Sequence, residues 1–199
     1  MYAVGCAGDA PYRKWTFNGF SGSMMLYIGY VGGGTTALYS PSGIPLPAQK
    51  MNGVPYGIGG CAKVYFGEHL RVGTEGYATY LVYGDNASRF GIGWGGLLLD
   101  WQWHAGNIHP FVGVTVGGGA ATNVTLLSPV YDDFLTEPTV SYRKYGFMAV
   151  TPFIGMELEV SQKLRLTFKA DWLMNVSVAR PDFPQGVRLY FGIIFYHGR

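Results

Sequence analysis

The stretch Leu164-Arg165-Leu166-Thr167-Phe168-Lys169-Ala170-Asp171-Trp172-Leu173-Met174 alternates between two kinds of position. Every even-numbered position is apolar, whereas the odd-numbered positions include Arg165, Lys169 and Asp171. Successive side chains of a β-strand point to opposite faces, so this pattern predicts a strand with one unbroken apolar face and one charged face. A stretch of this length is also long enough to cross a bilayer as a tilted strand, which needs about 9–11 residues.

The same alternation recurs along the chain and predicts eight strands of comparable length. The apolar faces assigned to them contain no Asp, Glu, Lys or Arg, as lipid-facing positions require, because a cation at the bilayer midplane costs about 2–4 kcal/mol. The predicted strands span residues 23–34, 56–66, 70–83, 88–103, 108–119, 147–160, 164–177 and 187–197.

The segment 88–103 is assigned by the same rule, with its larger apolar residues on the outer face. That assignment turns a row of glycines inward, where they would leave space in the interior. The outward set is Phe90, Ile92, Trp94, Gly96 and Leu98, and the inward set is Gly91, Gly93, Gly95 and Leu97.

The composition supports a membrane barrel over a soluble domain. Charged residues make up 13% of the 199 residues, against roughly 25% in an average soluble domain. No stretch approaches the ~20 consecutive apolar residues of a spanning helix. A soluble lipocalin-like barrel would need a polar exterior, whereas the exterior positions here are apolar.

The connections between the predicted strands alternate in length. Three of them are short turns, and those between are mostly longer, as in barrels with short periplasmic turns and long outer loops. Eight strands then leave both termini in the periplasm. Residues 1–22 are predicted to be a periplasmic or plugging segment, and residues 23–199 the transmembrane barrel. Residues 1–5 are too short for a signal peptide, so we expect a mature or trimmed form.

Two strand openings make a resemblance specific: His109-Pro110-Phe111-Val112-Gly113-Val114 and Thr151-Pro152-Phe153-Ile154-Gly155-Met156-Glu157-Leu158-Glu159. They resemble the repeated Pro-aromatic-x-Gly openings of the OmpA-like transmembrane barrel superfamily. The closing strand 188–196 resembles the C-terminal insertion signal of such barrels, although three further residues follow it. The resemblance covers about residues 23–197 and implies an all-β, eight-stranded antiparallel up-and-down barrel in the outer membrane of a Gram-negative-type bacterium. It implies little about activity.

The inward faces are predicted to carry charges of both signs. An eight-stranded barrel has an interior just wide enough for side chains, and buried charges must be paired. We therefore favour a salt-bridged plug over a gated ion or proton path. The predicted lumen network is Lys63, Arg71, Glu75, Glu157, Glu159, Arg165, Lys169, Asp171 and Arg188.

Nothing in the sequence predicts a catalytic, metal or cofactor site. The four histidines, His69, His104, His109 and His197, are all expected at the periplasmic end, away from outer-leaflet lipid A, and no hydrolase or metalloprotease motif occurs. The net charge of +2 without a basic stripe argues against nucleic acid. The two cysteines, Cys6 and Cys61, are open to one disulfide or two buried thiols.

Two surfaces are candidates for contact with a partner. The first is the long connection 120–146, whose aromatic and acidic residues are typical of an interaction patch. The second is a row of small residues on neighbouring strands, which would let another membrane surface approach closely. The candidates are Tyr131, Asp132, Asp133 and Phe134 in the connection, and Gly60, Ala62, Gly76 and Ala78 on the wall.

The sequence thus predicts a non-enzymatic outer-membrane barrel, acting as a structural or surface protein or as an accessory subunit of a larger assembly. Its expected partners are outer-membrane lipid or lipopolysaccharide and another outer-membrane protein. The alternatives are a narrow channel and a lipid A-modifying enzyme.

Overall fold

A computed structural model describes residues 16–39, 45–126 and 140–198 of the chain. Within these ranges no helix is long and apolar enough to cross a membrane. The strands are β1 Phe17–Gly29, β2 Val31–Tyr39, β3 Pro45–Gly53, β4 Tyr56–Phe66, β5 Leu70–Tyr83, β6 Ser88–Gln102, β7 Ile108–Leu126, β8 Val140–Ser161, β9 Leu164–Trp172, β10 Met174–Asn175 and β11 Val187–Gly198.

Eight of these strands form a closed antiparallel ring. The order around the ring is β1, β4, β5, β6, β7, β8, β9 and β11, and β11 pairs back with β1 through partners such as Met24 and Ile193. The ring leaves no free edge, which satisfies the backbone hydrogen bonds that a bilayer cannot. The predicted eight-stranded antiparallel barrel is confirmed.

The first strand is displaced from its predicted position. β1 begins at Phe17, and residues 19–22, which we had assigned to the segment before the barrel, pair with both β4 and β11. β1 ends at Gly29, and β2 and β3 then form a separate hairpin where the sequence predicts the end of the first strand, up to residue 34, and a long connection over residues 35–55. Prolines in β3 hide the strand pattern, because proline is tolerated at sheet edges but disfavoured in a strand. Residues 1–15 lie outside the described residues.

The long connection between β7 and β8 is shorter than predicted. β7 continues to Leu126 and β8 begins at Val140, because inward polar residues such as Asn123 and Thr125 prolong the alternation beyond the apolar part. The candidate contact residues Tyr131, Asp132, Asp133 and Phe134 lie outside the described residues.

Inside and outside are assigned correctly on seven strands and inverted on β6. Leu97 is 71% exposed on the outer wall, whereas Phe90, Trp94 and Leu98 are at most 5% exposed inside the barrel. β6 carries apolar side chains on both faces, so apolarity could not identify its outer face. Consequently Gly91, Gly93 and Gly95 face outward and leave no space in the interior.

The two ends of the barrel differ. We call the end with the connections 67–69, 103–107 and 162–163 the turn end, and the opposite end the loop end. At the loop end, Met51 of the β2–β3 hairpin and Phe183 of the segment 176–186 are buried. Gln49 Nε2 donates a hydrogen bond to the Leu126 carbonyl at 3.2 Å, and Arg143 lies 3.2 Å from the Asp182 carboxylate. These contacts close the loop end over the interior.

Candidate functional site

The barrel interior holds a charge network that includes one residue missed from the sequence. All nine predicted residues point inward, and Asp100 of β6 joins them because the face of β6 is inverted. The network therefore contains five cations and five carboxylates: Lys63, Arg71, Arg165, Lys169 and Arg188 with Glu75, Asp100, Glu157, Glu159 and Asp171. Asp100 and Gln102 lie two residues apart, and therefore on the same face, near the end of a largely apolar strand. These two polar residues were the signal that could have identified the inward face.

The larger cluster, nearer the turn end, is centred on Arg71, which is fully buried. Its guanidinium donates through Nε and Nη2 to the two oxygens of Asp100, the Nη2 bond measuring 2.9 Å. Through Nη1 it donates to Glu157 Oε1 at 2.5 Å. Lys63 Nζ reaches Asp100 at 3.0 Å and Glu157 at 3.8 Å. Two carboxylates are thus shared by two cations, an arrangement that compensates buried charge.

The rim of this cluster is less tightly bonded. Gln102 Nε2 donates to Glu157 Oε2 at 3.0 Å. Arg165 lies 3.4 Å from Glu157 and 3.6 Å from Glu159, and its buried Nε has no hydrogen-bond partner within the described part of the chain. His109 Nε2 lies 3.2 Å from Glu159. The network thus loosens toward the turn end.

A second cluster lies next to the first, farther from the turn end. Lys169 Nζ donates to Glu75 Oε2 at 2.6 Å, and Thr115 Oγ1 donates to Glu75 Oε1 at 2.6 Å. Arg188 binds Asp171 in a two-pronged pair of hydrogen bonds, at 2.7 and 2.9 Å. Lys169 joins the two halves, since its Nζ also lies 3.7 Å from Asp171.

Aromatic rings surround this second cluster. Lys169 Nζ lies 4.5 Å from the centroid of Phe153 and 4.9 Å from that of Tyr190, and the Arg188 guanidinium lies 5.1 Å from the ring of Trp94. Cation–π contacts of this kind stabilise desolvated cations. A pocket of about 20 Å³ lies between this layer and the loop end, which is space for about one water molecule.

The turn end carries the histidines and an open pocket of about 570 Å³. His69, His104 and His109 form a row, with ring centroids separated by 6.1 Å and 4.9 Å along it. Burial, followed by the neighbouring His109 and Arg165, lowers the pKa of His104 below its usual 6.5. In the described ranges, no three His, Cys, Asp or Glu side chains are arranged to hold a metal ion. Lining the pocket are Asn18, Tyr65, Gly67, Glu68, His69, Trp103, His104, Arg165 and Tyr196.

The remaining sequence candidates occupy separate places. His197 also lies at the turn end, stacked on Phe20 with ring centroids 5.4 Å apart. Cys61 is a buried thiol whose Sγ lies 3.0 Å from Ser23 Oγ. Cys6 lies outside the described residues, so the pairing of the two cysteines stays an expectation.

The small residues proposed for partner contact do lie together on the outer wall. Gly60 of β4 is the direct neighbour of Gly76 of β5, and Ala62 and Ala78 are exposed beside them. The geometry gives Gly60 a separate reason to be glycine, because a Cβ there would lie 2.1 Å from the Ser23 carbonyl oxygen. At Gly76 a Cβ would meet nothing nearer than 3.4 Å, so packing inside the barrel does not require that glycine.

Comparisons with solved structures give the fold class. Neisserial surface protein A matches with a TM-score of 0.56 and 12% identity, over 90% of this chain and 98% of that chain. Ail, the attachment invasion locus protein of Yersinia pestis, solved with the heparin analogue sucrose octasulfate, matches with a TM-score of 0.54 and 9% identity, over 90% of this chain and 99% of that chain. No family model matches the chain, and no curated protein matches it significantly.

At these identities the likeness concerns the fold alone. The chain has the fold of the small, eight-stranded, OmpA-like outer-membrane β-barrels. This agrees with the resemblance carried by the Pro-aromatic-x-Gly openings.

Proposed function

We propose that this protein is a non-enzymatic outer-membrane barrel that acts through its outer surfaces, as a structural or surface protein or as an accessory subunit of a larger assembly. The observation that carries the proposal is the balanced interior. Ten buried or partly buried charged groups, five of each sign, are paired across the barrel. A barrel filled in this way offers its loops and its wall, rather than its lumen, to other molecules.

The wall and the connections support the location and orientation that we propose. The outward positions of the strands carry exposed Leu97, Met148, Ile154 and Phe191, which suit lipid and not water. Barrels of this class have their short turns in the periplasm. On that basis the turn end and both termini are periplasmic, and the β2–β3 hairpin and the segment 176–186 face outward from the cell.

The narrow-channel alternative is tested by planar-bilayer recording of the purified protein. Opening a path would require separating ion pairs such as Arg71–Asp100 and Lys169–Glu75, and separating buried pairs costs several kcal/mol. We expect rare and very small openings. A stable large conductance would overturn the sealed-barrel proposal.

The enzyme alternative is disfavoured by where the histidines lie. His69, His104 and His109 are at the turn end, which in the proposed orientation is the side away from outer-leaflet lipid A. The hydrogen-bonding partners found for them in the described ranges are the Gln102 carbonyl for His69 and the Glu159 carboxylate for His109. Neither partner is a hydroxyl or thiol nucleophile. Incubation with lipid A should leave its mass unchanged, and a modified product would restore the enzyme alternative.

The accessory-subunit form of the proposal is tested on the wall at β4 and β5. Gly76→Leu adds an outward side chain without a backbone clash, whereas Gly60→Leu would distort the barrel through Ser23. We expect a protein identified beside the wild-type chain in mild detergent to be released by Gly76→Leu, by Asp132→Asn with Asp133→Asn, or by both. A lone monomer in the wild type, or no release by either variant, contradicts the subunit role and leaves the structural or surface role.

A further inference from the structure

Two cations break the apolar character of the outer wall, and they lie close together. Among the described outward positions of the eight barrel strands, Arg89 of β6 and Lys144 of β8 carry the charges. Both side chains are exposed, and neither has an acidic partner among residues 16–39, 45–126 and 140–198. Other Lys and Arg residues on these strands point into the barrel. An unpaired cation facing lipid is costly unless it lies at headgroup level.

The strand register places both cations at one edge of the apolar band. Arg89 lies opposite Val124 of β7, and Lys144 lies opposite Thr122 of β7. They are thus two strand spacings apart across the wall and two residues apart along it, roughly 12 Å in all. On β6, Trp101 marks the other edge of the outer wall, and the tilted strand between Trp101 and Arg89 rises by roughly 30 Å. This rise matches the hydrocarbon thickness of a bilayer, so the two cations lie at the headgroup level of the loop end.

Directly below the cations the wall has almost no side chains. Gly93 pairs with Ala120, which pairs with Gly146, and Gly91 lies in the next outward row, level with Lys144. A Cβ at Gly93 would meet nothing within 4 Å, and one at Gly91 or Gly146 would meet nothing nearer than 3.7 Å. Glycine in a strand costs about 0.5–1 kcal/mol relative to alanine, and no close backbone approach requires it here. The result is a shallow recess in the wall beneath two cations.

We propose that this sector binds a phosphorylated glycolipid of the lipid A type. Arg89 and Lys144 hold its phosphates, and the recess at Gly91, Gly93, Ala120 and Gly146 receives acyl chains. Two cations separated by roughly 12 Å suit a headgroup with phosphates at opposite ends of a disaccharide, whereas a diacyl phospholipid has one phosphate. The proposal rests on the proposed orientation, since the loop end must lie in the outer leaflet.

The test measures binding of diphosphoryl lipid A to the full chain in detergent by native mass spectrometry. Each interfacial cation contributes about 1 kcal/mol toward an anionic lipid, which is about fivefold in affinity. Arg89→Gln with Lys144→Gln should therefore weaken binding about thirtyfold. Lys163→Gln, which removes an exposed cation at the turn end, is the matched control and should leave binding unchanged.

A second variant separates the recess from the charges. Gly93→Leu fills the recess and keeps both cations, and its Cβ meets no neighbour within 4 Å, so the barrel should fold normally by heat-modifiable mobility. Weaker lipid A binding by this variant supports the proposal. Unchanged binding would show that the wall takes no part and would overturn it.

Two further arms identify the ligand. Monophosphoryl lipid A should bind about fivefold more weakly than the diphosphoryl form, and phosphatidylglycerol more weakly still. Equal binding of phosphatidylglycerol would mean that the cations serve any anionic lipid, which would overturn the glycolipid assignment. Loss of a co-purifying protein in the double variant without loss of lipid A would mean that the sector is a protein contact. None of these variants changes the lumen. A failure here therefore leaves the planar-bilayer test of the sealed barrel unaffected.

Discussion

Strands β9 and β6 have similar roles in the barrel and very different sequences. On β9 the inward positions include Arg165, Lys169 and Asp171, and charge alone identifies the lumen. On β6 the inward positions include Phe90, Ile92, Trp94 and Leu98, which are as apolar as the outward Leu97 and Leu99. The sequence pattern is unambiguous on the first strand and misleading on the second.

The difference shows what distinguishes the two faces of a narrow barrel. Hydrophobicity marks the lipid side only where the lumen side is polar, whereas a buried charge marks the lumen side wherever it occurs. On β6 the only acidic residue is Asp100, near the turn end, and the inward apolar residues lie between it and the loop end. Side-chain size then misleads, because the larger residues fill the interior and the glycines face lipid.

The largest expected effect comes from removing the charge that the β6 pattern concealed. Asp100→Asn keeps the shape of the side chain and leaves Arg71 and Lys63 short of one buried counter-charge. Breaking a buried ion pair costs about 3–5 kcal/mol. We expect a loss of that size in the free energy of unfolding, measured by urea titration in lipid vesicles.

The control for this prediction is Asp85→Asn in the exposed turn between β5 and β6, which should stay within about 0.5 kcal/mol of the wild type. Adding Lys63→Met to Asp100→Asn restores the charge balance and should recover part of the loss. Equal stability of the Asp100 and Asp85 variants would contradict the inward assignment of β6.

The next effect tests whether the outward faces of β6 and β9 are equivalent. Leu97→Arg and Phe168→Arg each put a cation among lipid-facing residues, at positions 71% and 45% exposed. Both should lower the free energy of unfolding in vesicles by about 2–4 kcal/mol. Val82→Arg, on the outward face beside Arg89 at the loop end, should cost about 0–1 kcal/mol because it lies near the interface. A harmless Leu97→Arg would reinstate the original assignment of β6.

A smaller effect separates two glycines of β6. A Cβ at Gly96 would lie 2.4 Å from the Val116 carbonyl oxygen, whereas a Cβ at Gly93 meets nothing within 4 Å. Gly96→Ala should therefore destabilise the barrel by about 1–3 kcal/mol. Gly93→Ala should be neutral or stabilising by up to about 1 kcal/mol. The original assignment places Gly96 on the outer face, where an added methyl group should cost little, so the urea midpoint of Gly96→Ala relative to Gly93→Ala decides between the two assignments.

The parts of the fold that could be predicted are those where two signals agree. Strand number, pairing and the inward charges of β9 and β11 follow from alternation combined with charge. The β2–β3 hairpin could not be predicted, because Pro45 and Pro47 obscure its pattern. Asp100 was missed because one charge was outweighed by four large apolar residues. Arg89 was missed as an outward cation because the two faces of β6 were assigned the wrong way round. Lys144 was missed because the predicted strand begins at residue 147, whereas β8 begins at Val140.

The smallest expected effect lies in the turn after β6, at His104, the middle residue of the histidine row. Burial, then His109 and Arg165, lowers the pKa of His104 below 6.5 in the folded protein. The unfolded chain therefore takes up this proton first, and the folded state loses stability as the pH falls through 6.5 toward the lower folded pKa. Above that range His104 contributes nothing to the pH dependence. His104→Gln should reduce the drop in the urea midpoint between pH 7.5 and pH 5, by a small amount because the side chain is largely exposed. His197→Gln, at the same end, is the control for losing an exposed imidazole. A steeper drop in the His104 variant would show that a favourable contact of the protonated ring outweighs its burial.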